Sequence, residues 1–396
     1  MEYAVIVVGG GAAGMMATAA AGKGALLLEK NDSLGVKVGI TGNGRCNVTN
    51  NCDVEQLIEK VLRNPYFLYS AFYALPPSDL ISLLNGLGVP TKVEGNGRVF
   101  PVSDRSADVI DALTRHIEQC GGKIRTNAQV AGITKGDDGI FCVQLSDGEV
   151  LRAKSCILAT GGLSLPGTGS TGDGFEFAGQ FGHKVTKTSP AIVPLTCAEP
   201  WVGELMGISL SNVHLMAEAG KRKVFEGVGD VMFAHYGISG PLVLTASGFS
   251  PSKIRINLLP QLDDISLLDE FGKNLNRDIK NALEGLLPKA IIPVILGIAG
   301  VDAHKKVNSI TKEERSRLVA QITGLTLTVT GNRGYKEAVI TAGGVDVAEI
   351  DPSTMESKLV AGLYFAGEMI DVHAVTGGYN LHIAFSTGYL AGLSAK

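Results

Sequence analysis

The run Ala4-Val5-Ile6-Val7-Val8, followed at once by Gly9-Gly10-Gly11-Ala12-Ala13-Gly14, constrains this 396-residue chain more than any other feature. Five consecutive apolar residues rich in valine and isoleucine suit a strand buried on both faces. The alanine- and methionine-rich stretch behind the glycines suits a helix. Strand, glycine turn and helix in that order form the opening of a dinucleotide-binding unit. Gly9 closes the turn, Gly11 lets a pyrophosphate approach the backbone, and Gly14 lets the helix pack on the strand. The unpaired N–H groups of the first helical turn, with Ala12 and Ala13, favour an anion there. A second apolar run, Ala25-Leu26-Leu27-Leu28, ends in Glu29, about 20 residues after the first glycine, where an acid accepts hydrogen bonds from a free ribose diol.

At this length two or three domains are expected. Apolar residues make up 45% of the chain, enough for a large core. The uninterrupted apolar runs are far shorter than the ~20 residues of a membrane helix, so no span is expected. The opening Met-Glu-Tyr-Ala lacks a basic signal-peptide start, and a cytoplasmic protein is the expectation. Six cysteines stand without CxxC pairing or histidine spacing, which points to neither a zinc site nor a disulfide framework, and no metal is expected. The net charge of −4 gives no global attraction to nucleic acid. Basic clusters exist at Lys221-Arg222-Lys223, Lys305-Lys306 and Arg333 with Lys336.

Residues 53–88 carry helical spacing, with Leu57, Val61 and Leu62 on one face, and Pro76-Pro77 interrupts them. A helix is expected from about Ala107 to Cys120, stopped by Gly121-Gly122. Extended pieces at 129–134, 140–145 and 150–153 read as a small meander, and Ser155 to Ala159 reads as another buried strand ending in Thr160-Gly161-Gly162. Short strands and turns from Pro194 to Leu259 indicate a β domain. Residues 263–324 change to helical spacing, as an insertion, before Leu325-Thr326-Leu327-Thr328-Val329 resumes the strand pattern. The last segment, Gly362 to Glu368, is strand into glycine turn, followed by Gly377-Gly378-Tyr379-Asn380 and a final helix. Both ends of the chain are therefore expected in one site. The expected domains are 1–193 with 345–396, 194–262 with 325–344, and the insertion 263–324.

Thr41-Gly42-Asn43-Gly44-Arg45-Cys46-Asn47-Val48-Thr49-Asn50 brings glycine, asparagine, a cation and a thiol together directly behind the nucleotide-binding start. With GGGAAG at Gly9, ILATGG at Ile157, HYGISGP at His235 and GLYFAGEMIDVHAVTGGYNLHIAFSTG at Gly362, it resembles the BaiN/RdsA family of FAD-dependent oxidoreductases over essentially the whole chain. The resemblance implies an α/β fold: a Rossmann-like FAD-binding domain of the two-dinucleotide-binding-domain flavoprotein type, built from both ends of the chain, and a β-barrel-like domain carrying a helical insertion. One departure is the stretch between Gly14 and Glu29, shorter than is usual in the family, so the first helix is expected to be short. The family is linked to C=C reduction, either forming dihydrouridine in ribosomal RNA or reducing unsaturated bile-acid intermediates. Hydride from flavin N5 and a proton from a protein acid serve both.

The cofactor-binding set expected on that basis is Gly9, Gly11, Ala12, Ala13, Gly14, Glu29, Lys30, Thr41, Gly42, Gly44, Arg45, Cys46, Asn47, Val130, Ala159, Thr160, Gly161, Gly367, Glu368, Asp371, Gly377, Gly378, Tyr379 and Asn380. Cys46 is the sharpest candidate acid: a thiol with an ordinary pKa near ~8.5 is mostly protonated at neutral pH, and the neighbouring Arg45 would stabilise the thiolate. A small buried residue holding a tight loop is the alternative. Arg45 is expected to face a ligand, whether an FAD phosphate, the substrate or the pyrimidine edge, with clamping its loop through backbone carbonyls as the alternative. His235 is the third catalytic candidate, facing substrate from the β domain, and His373 and His382 flank the Gly377-Gly378 pair. With only one strand–glycine–helix unit legible, the reductant is expected to reach the flavin directly, as NADH or NADPH would, or to come from another protein. Ribosomal RNA is the expected substrate and partner; a small enoate or steroid-like substrate, or a flavin electron carrier or redox sensor without a dedicated substrate, are the alternatives.

Overall fold

The computed structural model describes residues 2–273 and 275–395. It divides into two compact units, 1–191 with 335–396, and 192–334. In the first, β1 (Glu2–Val8) leads through the glycine turn into α1 (Ala12–Ala21), and the chain returns as β2 (Ala25–Leu28) parallel to β1. Farther on come β3 (Lys123–Arg125), β4 (Val130–Lys135), β5 (Phe141–Leu145), β6 (Val150–Leu158) and β7 (Leu363–Phe365). The sheet order is β3-β2-β1-β6-β5-β4, with β7 also on β6. The Rossmann-like character lies in the parallel part, whose central strands are buried on both faces as their apolar runs require.

One long strand replaces two expected ones. Residues 150–153 and 155–158 form a single nine-residue β6, whose first half pairs antiparallel with β5 and whose second half pairs parallel with β7. Its other side pairs with β1 from Arg152 to Leu158. The meander is thus the end of the central sheet. Residues 53–88 also differ from the expectation: Val61–Arg63 is a strand paired with His373–Ala374, so Val61 and Leu62 do not continue a helix face. Ile340–Ala342 pairs with Ser189–Ala191, which puts residues 335–344 in the first unit rather than with the β domain.

The second unit is a closed barrel of six strands in the order 195–197, 237–239, 222–234, 209–219, 253–257 and 325–332, the last closing on the first. Leu215, Phe233, Ile254, Ile256 and Leu327 fill it, each at most 1% exposed. The helices between residues 264 and 324 enter after Lys253–Asn257 and return at Leu325, and Leu283, Ile292, Leu318 and Ile322 share the barrel's core. No helix among the described residues is long and apolar enough to cross a membrane.

The final helix, α2 (Tyr379–Ser394), lies directly against α1. All but one of the ten residues of α1 are buried, which its alanines and glycine allow without a large side chain to hold the neighbour away. A Cβ on Gly388 would stand 2.2 Å from the Ala13 carbonyl oxygen, and one on Gly392 2.2 Å from that of Ala17. The pairs 13 with 388 and 17 with 392 advance together, so the two helices run in the same direction. Gly388→Val is predicted to force this seam apart and destabilise the fold by roughly 3 kcal/mol, the upper end of ordinary overpacking. A melting temperature unchanged from the parent protein would contradict it.

Candidate functional site

The first wall is the glycine turn. Gly9, at φ +107, runs so close to the end of β6 that a Cβ would meet the Ala159 carbonyl oxygen at 2.5 Å. A Cβ on Gly14 would meet the Gly9 carbonyl oxygen at 1.8 Å, while one on Gly11 would enter open space. Gly11 is the N-cap of α1, and no side chain caps this end and no acid lies in its first turn. Its N–H groups, with those of Ala12 and Ala13, are left to an outside acceptor. Glu29 sits beside them, 8% exposed, accepting the Gly10 N–H at 2.6 Å and the Asn31 N–H at 2.8 Å. The short first helix therefore still brings Glu29 to the turn. Val130 begins β4 in buried surroundings, and Ala159, Thr160 and Gly161 continue β6 past the turn. Lys30 is occupied elsewhere, with its ammonium 2.5 Å from the Thr171 hydroxyl and 2.8 Å from Asp173.

The second wall is the loop 41–50. Gly42, Asn43, Gly44 and Cys46 all adopt left-handed backbone, at φ +58, +58, +83 and +60. Only glycine does so without cost, so Asn43 and Cys46 must be held there by their surroundings. The Thr41 carbonyl accepts N–H groups from Gly44 and Cys46, the Gly44 carbonyl accepts that of Ser106 at 2.9 Å, and the Ser106 hydroxyl donates to the Gly39 carbonyl at 2.8 Å. Arg45 fixes the rest. Its guanidinium bonds Glu94, donates to Asp104 at 2.6 and 2.9 Å, and lies 4.2 Å over the Phe100 ring. Its hydrogen bonds to Glu94 and then Asp104 raise its already high pKa. The structure thus corrects the ligand-facing expectation for Arg45: its donors are spent on clamping the loop.

Cys46 is fully buried, and burial pushes its thiol up to about 12, with a hydrogen bond to Thr41 opposing. A thiol so placed holds its proton and packs among apolar side chains. This corrects the expectation of a poised acid beside a helpful arginine, since that arginine points into a carboxylate pair. The Asn47 side-chain oxygen is buried without a hydrogen-bond partner, 2.9 Å from where a Gly378 Cβ would stand.

The third wall comes from the C-terminal segment. Gly367, at φ +76, faces Ala13 of α1, and its N–H donates to the Thr387 hydroxyl at 2.9 Å. Glu368 is tied inward by Lys37 at 2.5 Å, the Ser164 hydroxyl at 2.6 Å and the Thr341 N–H at 2.7 Å. Asp371, 2% exposed, pairs with Arg63 at 2.5 Å. Asn380 spends its amide on Ala374 and Val375, closing the turn before α2 rather than facing outward. Gly377 and Gly378 carry φ +129 and +96, and Gly378 caps α2 with no side-chain cap and no acid in the first turn. The Asn50 amide donates to the Gly377 carbonyl at 3.2 Å, and Thr49 meets His382 Nδ1 at 3.0 Å, so loop 41–50 is bolted to the start of α2. Tyr379 is 9% exposed there, and burial raises its phenol pKa. His235 belongs to the second unit, where its exposed ring stands edge-on to Tyr236 at 4.9 Å.

Sequence reasoning did not find Lys37, Arg63, Ser164 or Thr341. Their partners lie up to 331 positions away, as for Lys37 and Glu368, and no local pattern marks such a pair.

The geometry is that of a dinucleotide site with two bare helix starts. Residues 3–394 match the family described as HI0933-like protein Rossmann domain. The chain belongs to this family, the BaiN/RdsA FAD-dependent oxidoreductases. It is 32% identical over 375 residues to the ribosomal RNA dihydrouridine synthase of Escherichia coli, covering 93% of this chain and 91% of the relative. It is 32% identical over 384 residues to that of Haemophilus influenzae, covering 95% and 93%. It is 29% identical over 381 residues to the 3-dehydro-bile acid delta(4,6)-reductase of Clostridium scindens, covering 93% and 92%. Among solved structures, the 3-ketosteroid-delta4-(5alpha)-dehydrogenase of Rhodococcus jostii aligns with a TM-score of 0.52 at 16% identity, covering 100% of this chain and 96% of that one. This is a likeness of fold.

Two buried histidines in the family's C-terminal segment give the site a pH signature. Burial pushes His373 down to about 4 and His382 down to about 3 from the ordinary 6.5. Both stay neutral when folded, whereas the unfolded chain takes up protons below its ordinary imidazole pKa. Stability therefore rises with pH through this window and is lost on acidification. Going from pH 7 to 5 is predicted to cost roughly 2 kcal/mol per histidine, read from urea midpoints. A flat profile across that interval would contradict it.

Proposed function

We propose that this chain is an FAD-dependent reductase of polarised C=C bonds that forms dihydrouridine in large-subunit ribosomal RNA. The observation that carries the substrate is the end-to-end alignment, at 32% identity, with two relatives named ribosomal RNA dihydrouridine synthase from two organisms. A second reading, reduction of a small conjugated steroid-like substrate, is favoured by the 29% identical bile-acid reductase.

The residues present fit FAD. The uncapped first turn of α1 is a seat for the pyrophosphate, and the Glu29 carboxylate beside it is a ribose partner. Gly388 of α2 lies level with Ala13 of α1 and nine residues after Tyr379, whereas Ala13 is one residue after Ala12, so the start of α2 stands about 12 Å beyond the start of α1 at the usual rise per residue. An extended dinucleotide bridges such a separation. The second bare helix start, at Gly378 and Tyr379, then stabilises negative charge on the ring system. Thr41, Gly42, Gly44 and Asn47 supply its other wall. Glu368 and Asp371, held by Lys37 and Arg63, set the turn of chain that carries Gly377 and Gly378.

Bound there, reduced FAD supplies hydride from N5. The C=C bond becomes a single bond when one carbon takes that hydride and the other takes a proton. Arg45 and Cys46 keep the loop in its left-handed path. NADH or NADPH is the proposed reductant.

Disrupting the gene is predicted to remove dihydrouridine from the host's large-subunit ribosomal RNA, as mapped by nucleoside mass spectrometry, and an unchanged map counts against the RNA reading. For the purified enzyme, Cys46→Ala is predicted to keep flavin and turnover within a few-fold of the parent, far from the roughly 100-fold loss that removal of a general acid usually brings. Abolished turnover in Cys46→Ala would restore the thiol as the acid.

A further inference from the structure

We propose that Lys60, Arg63, Tyr66, Tyr69 and Tyr73 form a platform on which unpaired bases of the RNA substrate stack. The proposal rests on the ribosomal RNA reading above and names the surface that takes the strand. These five residues recur every three or four positions and are all exposed, while Phe67, Leu68, Ala71 and Phe72 between them are buried. A surface tyrosine by itself is ordinary; three in register are not.

The register has a local cause. Pro65–Leu68 is a 3₁₀ turn, in which positions three apart eclipse, so Tyr66 falls directly under Tyr69. Their rings lie 6.0 Å apart with planes 9° from parallel. The chain then continues as the α-helix Tyr69–Ala74, where positions four apart are neighbours, and Tyr69 and Tyr73 lie 6.4 Å apart at 14°. The Tyr73 hydroxyl donates to Glu55 at 2.6 Å, fixing the top ring. The three residues are 75%, 38% and 59% exposed, so a ligand can reach each of them.

Two features select a nucleic acid over an apolar partner. The tyrosines continue a line begun by the cations Lys60 and Arg63, which is the combination of phosphate charge and base-stacking rings that single strands use. The segment is also anchored at the candidate active site. Arg63 pairs with Asp371 and its strand pairs with His373, while Phe72, on the inner face of the tyrosine helix, lies 5.4 Å from His382 in the first turn of α2. A strand lying on the platform therefore passes one helix away from Gly378.

The test uses the full-length flavoprotein and unmodified large-subunit ribosomal RNA transcribed in vitro. Replacing Tyr66 and Tyr69 together by Ala is expected to weaken binding about 10- to 100-fold, the worth of one or two stacked bases, while the double Phe variant stays within about twofold. Flavin content, melting temperature and the rate of flavin reduction by NADH or NADPH should not change. With 5-iodouridine in the transcript, photocrosslinks should fall on Tyr66, Tyr69 or Tyr73. Unchanged affinity of the Ala variant, or crosslinks confined to other regions, overturns the platform and leaves the RNA reading standing. A change in sedimentation without a change in affinity also overturns it, by assigning the face to a second copy of the chain. A parent enzyme that neither binds nor reduces the transcript but reduces conjugated enones overturns the underlying reading, and the platform with it.

Discussion

The contact between α1 and α2 is the constraint on which the rest of the first unit depends. Ala13 and Ala17 receive the backbone of Gly388 and Gly392 with no room for a single added carbon. That closeness is what lets residues near the two ends of the chain build one site. It also fixes the helices in the same direction, so both expose bare N-termini. A helix start carries partial positive charge from its unpaired N–H groups. Two of them, set along one seam, suit a ligand with a phosphate at one end and a ring that accepts charge at the other.

Around that seam, charged side chains mostly restrain loops. Arg45, Glu94, Asp104 and Lys92 are an ion cluster at one side, and Lys37 with Glu368 and Arg63 with Asp371 are pairs at another. Partly exposed pairs such as Lys92 with Asp104 contribute little stability individually. Their worth here is positional: they hold a loop with several left-handed residues and a turn with two positive-φ glycines against α2. On the proposed reading the chemistry belongs to the flavin and the helix starts, and the family's differing substrates then depend on what the surrounding surfaces accept.

What was legible in the sequence was what is locally encoded. The strand, glycine turn and helix at 4–21, the acid at 29, the glycine pair before the last helix and the Rossmann class follow from short-range patterns, and the family match agrees with the Rossmann class. Side-chain roles depending on distant partners were not legible. Arg45 looked free to meet a ligand because Glu94 and Asp104 lie far along the chain, and Asn380 looked like a contact residue although it closes its own turn. The periodicity at Leu57, Val61 and Leu62 suggested one helix, but Val61–Arg63 is recruited as a strand by His373–Ala374, a partner some 300 residues away. β6 was divided because its two halves have different neighbours, and its pattern changes where β5 gives way to β7.

The central claim is that the seam sets two helix starts to hold one dinucleotide. Hydrogen exchange of the apoprotein with and without FAD tests it most directly. The account predicts that FAD slows exchange at Gly11 to Ala13 and at Gly378 to Asn380 together, with one stoichiometric transition. Protection at only one helix start, or at neither, would contradict it.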